Sequence, residues 1–314
     1  MDIFDYFKSD VIATYYKNDP SNNVPYLGKA LFPAQRFKSV ETEMPFFRES
    51  MRIGEKDRQQ LLQVQASNNA NYAKGIMQRI YADTTNLVNG AEVNAERMRM
   101  QLLSTGKIEI TANGLSYKYD YKFKSDNKTS ITDAAKKWSD TDTATPVQDI
   151  IAWQDAIEDA TGVRPTRAIC TRKTWGYLLN NKSIRLDLNP IGGQNIIMTD
   201  NLLQTYLADK LGLSISVYNK KYLGSVGGAA GSFFPDNVFT LIPPGNLGTT
   251  YFGTTPEEAD LIGGNTQASV SLVNTGVAIT TFKEVHPVNS VTVVSAIVLP
   301  SFESIDNVFI ATVA

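Results

Sequence analysis

Apolar residues recur at helical spacing along one long stretch, residues 69–105, in which Ile76, Met77, Ile80, Tyr81, Leu87, Val88, Val93, Met98, Leu102 and Leu103 fall near a 3.6-residue period and no proline intervenes. The pattern predicts one long helix that stops at Thr105-Gly106. Gly75 and Gly90 are its weak points, and Gly90 is where a bend would fall. Nearer the start, Ile3, Phe4, Phe7, Val11 and Ile12 lie close to one helical face, which predicts a short amphipathic helix in need of a partner surface. Residues 20–33 are turn-rich and read as an extended arm. The stretch after them mixes short apolar pieces with a charged tip, Gly54-Glu55-Lys56-Asp57-Arg58, as a projecting hairpin or loop would.

After the long helix the period changes to two. Asn113-Gly114 sits between the alternating runs KIEITA and LSYKYDYKF, the strongest short-range signal for a β-hairpin. A polar linker, residues 124–145, leads to Pro146, which opens an amphipathic helix closed by Gly162. The composition shift there predicts a second subdomain. It continues as strand RAIC, helix KTWGYLLNNK, helix NLLQTYLADKLG and strand SISVYNKKY, an alternation typical of an α/β or α+β unit. A glycine-rich loop, Gly224 to Gly231, follows, and the remainder is strand-rich. The chain closes on two apolar runs, Val293 to Leu299 and Val308 to Val313, split by Pro300 and a polar patch.

With 314 residues, 42% of them hydrophobic, the chain can bury one large core or two intermediate ones. Thirty Lys and Arg against 32 Asp and Glu leave a net charge of −2, so no global basic field exists to hold nucleic acid. The single cysteine, Cys170, cannot form an intramolecular disulfide and fits a reducing compartment. The opening MDIFDYFKSD lacks the pattern of a signal peptide, and VTVVSAIVLP is about half the ~20 residues a membrane span needs. A cytosolic protein without a membrane anchor is the expectation.

Candidate chemistry is sparse. His286 is the only histidine, which excludes a histidine metal cluster and leaves any catalytic triad resting on one strand-end residue. Cys170 lies in an apolar strand, where a thiol behaves as a small hydrophobe. The glycine loop lacks both the Gly-Lys-Ser/Thr ending of a phosphate loop and the strand-to-helix setting of a dinucleotide site. Glu257, Glu258 and Asp260 form an acidic group, but Thr255-Pro256-Glu257-Glu258 is also a good helix start, so capping accounts for it. Lys136-Lys137 and Lys220-Lys221 are too sparse for nucleic-acid readout. No catalytic, cofactor-binding or metal-binding residue is assigned, and long arms without a site point to assembly.

Several segments together resemble one family. They are the long helix running into LLSTGKIEI; KKWSDTDTATPVQDIIAW; RPTRAICTRKTWGYLLNN; FFPDNVFTLIPP followed by GTTYFGTTPEEADL; and VNSVTVVSAIVLPSFESIDNVFIATV. In this order, over roughly residues 70–314, they resemble the lambda-type major capsid protein E family of tailed bacteriophages, which has the HK97-like capsid fold. The resemblance implies an α+β architecture with residues 1–31 as an N-terminal arm and 32–68 as the E-loop. Residues 69–145 would form the P-domain, with a spine helix at about 69–105, and 146–253 the A-domain. Residues 254–300 would be the return through the P-domain, and 301–314 a final strand entering the A-domain sheet.

It further implies a virion component, assembled in the bacterial host cytoplasm, that builds an icosahedral shell of hexamers and pentamers around double-stranded DNA without reading its sequence. A separate scaffolding protein, a portal protein and a decoration protein would be partners. Phe4 and Phe7 in the arm and Glu55, Lys56 and Arg58 at the loop tip are the expected assembly contacts, with Gly90 as the flex point of the spine helix. Two other classes stay open: an encapsulin-like or other HK97-fold shell protein, and, more remotely, a glycine-loop nucleotide-binding enzyme.

Overall fold

The computed structural model describes residues 7–9, 44–55, 59, 63, 70–112, 115–191, 197–223, 230–261, 268–273, 276–285 and 289–314. The chain divides into two compact units. One comprises Met1–Ser9, Val93–Thr250 and Pro300–Ala314, the other Asp10–Glu92 and Tyr251–Leu299.

The first unit is built on a five-stranded sheet. Strands β5 (Lys128–Ser130), β15 (Phe309–Thr312), β10 (Val238–Ile242), β6 (Arg167–Cys170) and β7 (Ser214–Val217) lie side by side in that order. The outer pairs β5/β15 and β6/β7 run parallel, and β10 is antiparallel to both of its neighbours. Register assigns the faces. Phe239 stands opposite Ala311 and Cys170, and Leu241 opposite Phe309 and Ala168. All six point into one core with Trp138, Ile150, Ile157, Trp175, Leu178, Leu203 and Leu207. That core is filled by α2 (Pro146–Thr161), α3 (Arg172–Asn180), α4 (Lys182–Leu188) and α5 (Asp200–Leu211).

These helices begin and end where their local chemistry dictates. Pro146 occupies the first turn of α2, where its missing N–H costs nothing, and Gly162 at φ 73° closes the helix by donating its N–H to Glu158 O. Thr171, Asn181 and Thr199 cap α3, α4 and α5 with side-chain oxygens, and Gly212 closes α5 in the left-handed region. Asn181 also donates to Thr141 O and Ala144 O, so one buried amide joins the preceding turn to a helix start. Buried Gln154 likewise donates to Pro165 O and Leu211 O.

The opposite face of this sheet meets the long helix α1 (Ala70–Thr105): Thr240 Oγ1 donates to Leu103 O at 2.7 Å, using a carbonyl the helix end leaves without an intrahelical partner. The antiparallel hairpin of β3 (Lys107–Ala112) and β4 (Leu115–Asp120) follows. Its register pairs Ala112 with Leu115, the two-residue connection that Asn113-Gly114 predicts.

Three segments depart from the sequence reading. The linker expected over residues 124–145 carries a 3₁₀ turn (Ser125–Asn127), strand β5 and Trp138, which is fully buried with its Nε1 donating to Asp149. Its polar residues mask one aromatic that packs 5.1 Å from Phe239 and stacks on Trp153. The amphipathic N-terminal helix is replaced, over Phe7–Ser9, by a strand β1 parallel to Gly248–Thr250 of β11 (Gly248–Gly253). A few apolar positions at helical spacing cannot outweigh a backbone ladder, because a helix that short is barely stable. The predicted loop ends early, since Ala230–Ser232 (β9) pairs antiparallel with Lys221–Leu223 (β8). A Cβ at Gly231 would meet the Tyr222 ring at 3.0 Å, so a larger residue there would have to push the ring aside by a few tenths of an ångström.

The second unit holds the strand order β2 (Phe46–Ile53), β14 (Ser290–Pro300), β13 (Val277–Lys283) and β12 (Ser269–Val273), antiparallel throughout. One face of this sheet, with Met51, Val294, Ala296, Val277 and Ile279, packs on Leu87, Val88 and Ala91 of α1. The alternate residues face the short helix α6 (Pro256–Leu261), whose start is capped by Thr255 Oγ1 accepting from Glu258 N–H.

Candidate functional site: assembly surfaces

The described residues hold no group of three or more His, Cys, Asp or Glu able to bind a metal, and no described helix is long and apolar enough to cross a membrane. Cys170 is buried, and burial pushes its thiol up to about 12, so no thiolate forms near neutral pH. His286 lies outside the described residues, as does Gly224 to residue 229 of the glycine loop.

The acidic group at α6 does more than cap a helix. Glu257 is buried, paired with Arg48 of β2, and accepts from Ser295 Oγ of β14 at 2.9 Å. Arg48 and Ser295 are direct partners in the β2/β14 register, so the carboxylate bridges two neighbouring strands from above. A buried carboxylate requires such compensation. Four residues along, Arg52 pairs with Glu284 at 3.1 Å, and Glu284 also accepts from Asn289 Nδ2. Strand β2 is thereby held by eight register pairs to β14 and by two guanidinium contacts, while most of its side chains stay exposed. Arg48 additionally lies 4.9 Å over the ring of exposed Phe46.

In the first unit the long helix carries a buried polar network. Tyr218 donates to Glu96 at 2.8 Å, Arg99 stands 3.6 Å from Glu96, and both Nε and Nη2 of Arg99 donate to Thr250 Oγ1. Burial first, and then the negative charge of Glu96, raise the Tyr218 hydroxyl well above its ordinary range, so it remains a donor. The network fastens α1 to the strand after β10 and to the end of β7 by geometry that hydrophobic packing alone would not specify.

Of the expected assembly contacts, Phe4, Lys56 and Arg58 lie outside the described residues. Phe7 begins β1, and Glu55 is exposed just after β2. Gly90 is helical, and a Cβ there would come within 2.9 Å of Glu49 Oε2 on β2. The bare backbone at Gly90 thus accommodates a strand side chain, a role that helix periodicity could not disclose. Sequence reasoning also missed Arg48, Ser295, Glu96 and Arg99; only Glu257 had attracted notice.

A family model described as phage major capsid protein E matches residues 22–313, and the chain belongs to that family. It is therefore a shell-forming capsid protein and a virion component, with the α+β architecture of the HK97-like capsid fold. Among solved structures, the chain resembles a prophage capsid protein from E. coli CFT073, with 21% identity and a TM-score of 0.59 over 87% of this chain and 78% of that one. A phage-related protein of Bordetella bronchiseptica RB50 follows at 13% identity and a TM-score of 0.49, covering 89% of this chain and 81% of that one. The capsid of Myoviridae phage XM1 aligns at 11% identity with a TM-score of 0.44, over 86% of this chain and 74% of that one. No curated protein matches the chain significantly.

Proposed function

We propose that this chain is the major subunit of the icosahedral shell of a tailed phage, arranged as hexamers and pentamers around double-stranded DNA that it encloses without base readout. The match of the capsid family model to residues 22–313 carries the reading. Near-neutral charge supports it, since a net charge of −2 limits repulsion among tightly packed copies. The chain acts by geometry and not by catalysis. Many individually weak contacts add up because each copy is held by several neighbours at once.

In this reading residues 1–31 form the arm, 32–68 the E-loop, 69–145 and 254–300 the P-domain, 146–253 the A-domain, and 301–314 the strand that ties the terminus into the A-domain sheet. Phe4 and Phe7 of the arm and Glu55, Lys56 and Arg58 of the loop contact neighbouring subunits. Gly90 is the flex point of the spine helix when the shell expands on DNA packaging, and its approach to Glu49 links that point to the root of the E-loop. Assembly takes place in the host cytoplasm with separate scaffolding and portal proteins.

The test is negative-stain imaging of the purified chain, alone and with the scaffolding protein encoded beside it. Closed isometric particles are expected in at least one condition. Persistent monomers in both would contradict the proposal.

A further inference from the structure

In the sequence the pair Lys220-Lys221 is too sparse to engage nucleic acid, but the fold of the first unit brings further groups to it. Tyr218, Phe233 and Tyr222 form a row of rings whose centroids stand 6.3 Å and 5.0 Å apart. A cation lies over each end. Lys220 Nζ is 6.0 Å from the Tyr218 ring, and the guanidinium of Arg97, from α1, is 5.1 Å from the Tyr222 ring. Lys220 is exposed, and its carbonyl accepts from Phe233 N–H, which ties the backbone carrying the ammonium to the row.

Arg97 is the unsatisfied member. Every other arginine whose side chain is described donates to an oxygen of the chain. Arg97 has the ring instead, and its buried Nε has no hydrogen-bond partner among the described residues. No acid stands three or four positions away on α1, where Val93, Asn94, Met100 and Gln101 are found. The adjacent acid, Glu96, is buried and already committed to Tyr218 and Arg99. A guanidinium fixed over a ring without an acceptor presents a planar fork of donors that matches a carboxylate or a phosphate.

The rings narrow the choice. Tyr218 and Phe233 are buried, and Tyr222 is hemmed in by Phe233, Gly231 and Arg97, so the row seats cations and leaves no open face on which a base could stack. Two cations, one at each end of a row, suit a polyanion whose charges repeat better than a lone carboxylate.

We infer that Arg97 and Lys220, seated on the row of Tyr218, Phe233 and Tyr222, form a contact for the phosphate backbone of DNA, without base readout. The inference deepens the shell reading, which makes enclosed DNA the polyanion at hand, while the choice of phosphate comes from the unpaired guanidinium and the covered rings. It adds a local contact to a chain whose net charge of −2 supplies no global one.

Fluorescence anisotropy of a labelled DNA duplex with the purified full chain at low salt tests it. Arg97→Gln and Lys220→Gln should each weaken binding at least about tenfold, the effect of losing a hydrogen bond from a charged donor. Each should also lower the slope of the salt dependence by about one, equally on duplexes of different sequence. Arg97→Lys should keep most of the affinity, and Lys173→Gln, which removes an exposed cation on α3, should keep all of it. Because Lys220 is exposed, Lys220→Gln decides the matter if Arg97→Gln does not fold. Inorganic phosphate should displace the duplex more effectively than acetate at equal ionic strength. An unaltered chain that does not bind the duplex, or variants that bind it as the parent does, would overturn the inference. So would acetate matching phosphate, which would assign the cations to a carboxylate partner, and binding of inorganic phosphate without the duplex, which would leave a free-anion site. Each of these leaves the shell reading standing if the unaltered chain forms particles. A chain that binds the duplex through Arg97 yet forms no particles would sink the shell reading and keep the contact.

Discussion

The two units solve the same packing problem with different reserves. In the first, twenty-one buried residues of the described chain form one core around the five-stranded sheet, including Trp138, Trp175 and Phe239. In the second, the cluster between the sheet and α1 has six, all aliphatic. The second unit relies instead on register and on ion pairs whose arginines, Arg48 and Arg52, are more than half exposed. Exposed pairs contribute little and screen readily. Among the described residues the first unit's cluster is the larger, which predicts that its strands open at higher cost than β2 and β12 of the second.

Removing residues 307–314 should damage the first unit most. Strand β15 lies between β5 and β10, and the main chain of Val313 accepts from Trp138 N–H and donates to Asn237 O. Cooperative thermal unfolding followed by circular dichroism should vanish. A truncated chain with an unchanged melting curve would refute the placement of the terminus in the core.

Trp138→Ala should cost about 3–5 kcal/mol, the range for truncating a buried large aromatic. Glu257→Ala should cost less, about 1–3 kcal/mol, by leaving Ser295 and Arg48 without their acceptor. Denaturant titration of both variants gives the ordering, and a larger loss at Glu257 would reverse the comparison between the units.

A pH effect is expected in the first unit. Burial raises the carboxyl of Asp149 above its ordinary 3.8, with the Trp138 N–H partly opposing that shift. A raised carboxyl favours the folded state while protonated, so its contribution is full below 3.8 and is lost as pH rises through the higher folded value. Asp149→Asn retains an acceptor for Trp138 and should gain stability relative to the parent as pH rises through that window. Parallel pH profiles of the two proteins would count against the burial argument.

The smallest effect is expected at Gly90. Alanine there should raise helix stability by up to about 1 kcal/mol, because the group it would meet is the free end of the Glu49 side chain, which can swing away. A substantial loss would show that Glu49 is held in place.

Local chemistry made much of both units legible in the sequence. Pro146 and Gly162 bounded a helix, Asn113-Gly114 located a hairpin, and the apolar run ending at Pro300 read as the strand that β14 became. What stayed hidden depended on distant partners. Arg48 and Glu257 are 209 residues apart in sequence, and neither position announces the other. Trp138 was masked by the charged and hydroxyl residues around it, and β1 by an apolar spacing that fits a helix as well as a strand. Glu96 and Arg99 are an i, i+3 pair that nothing in the sequence singles out, and only the fold shows that Tyr218 and Thr250 close over them.

Hydrogen exchange on the free subunit and on assembled shells tests this division most directly. In the free subunit, amides of β6, β10 and β15 should exchange only through global unfolding, while those of β2 and β12 exchange by cheaper local opening. Assembly should slow β2 and leave β10 unchanged. Amides of β2 and β12 as protected as those of β10 in the free subunit would contradict the account.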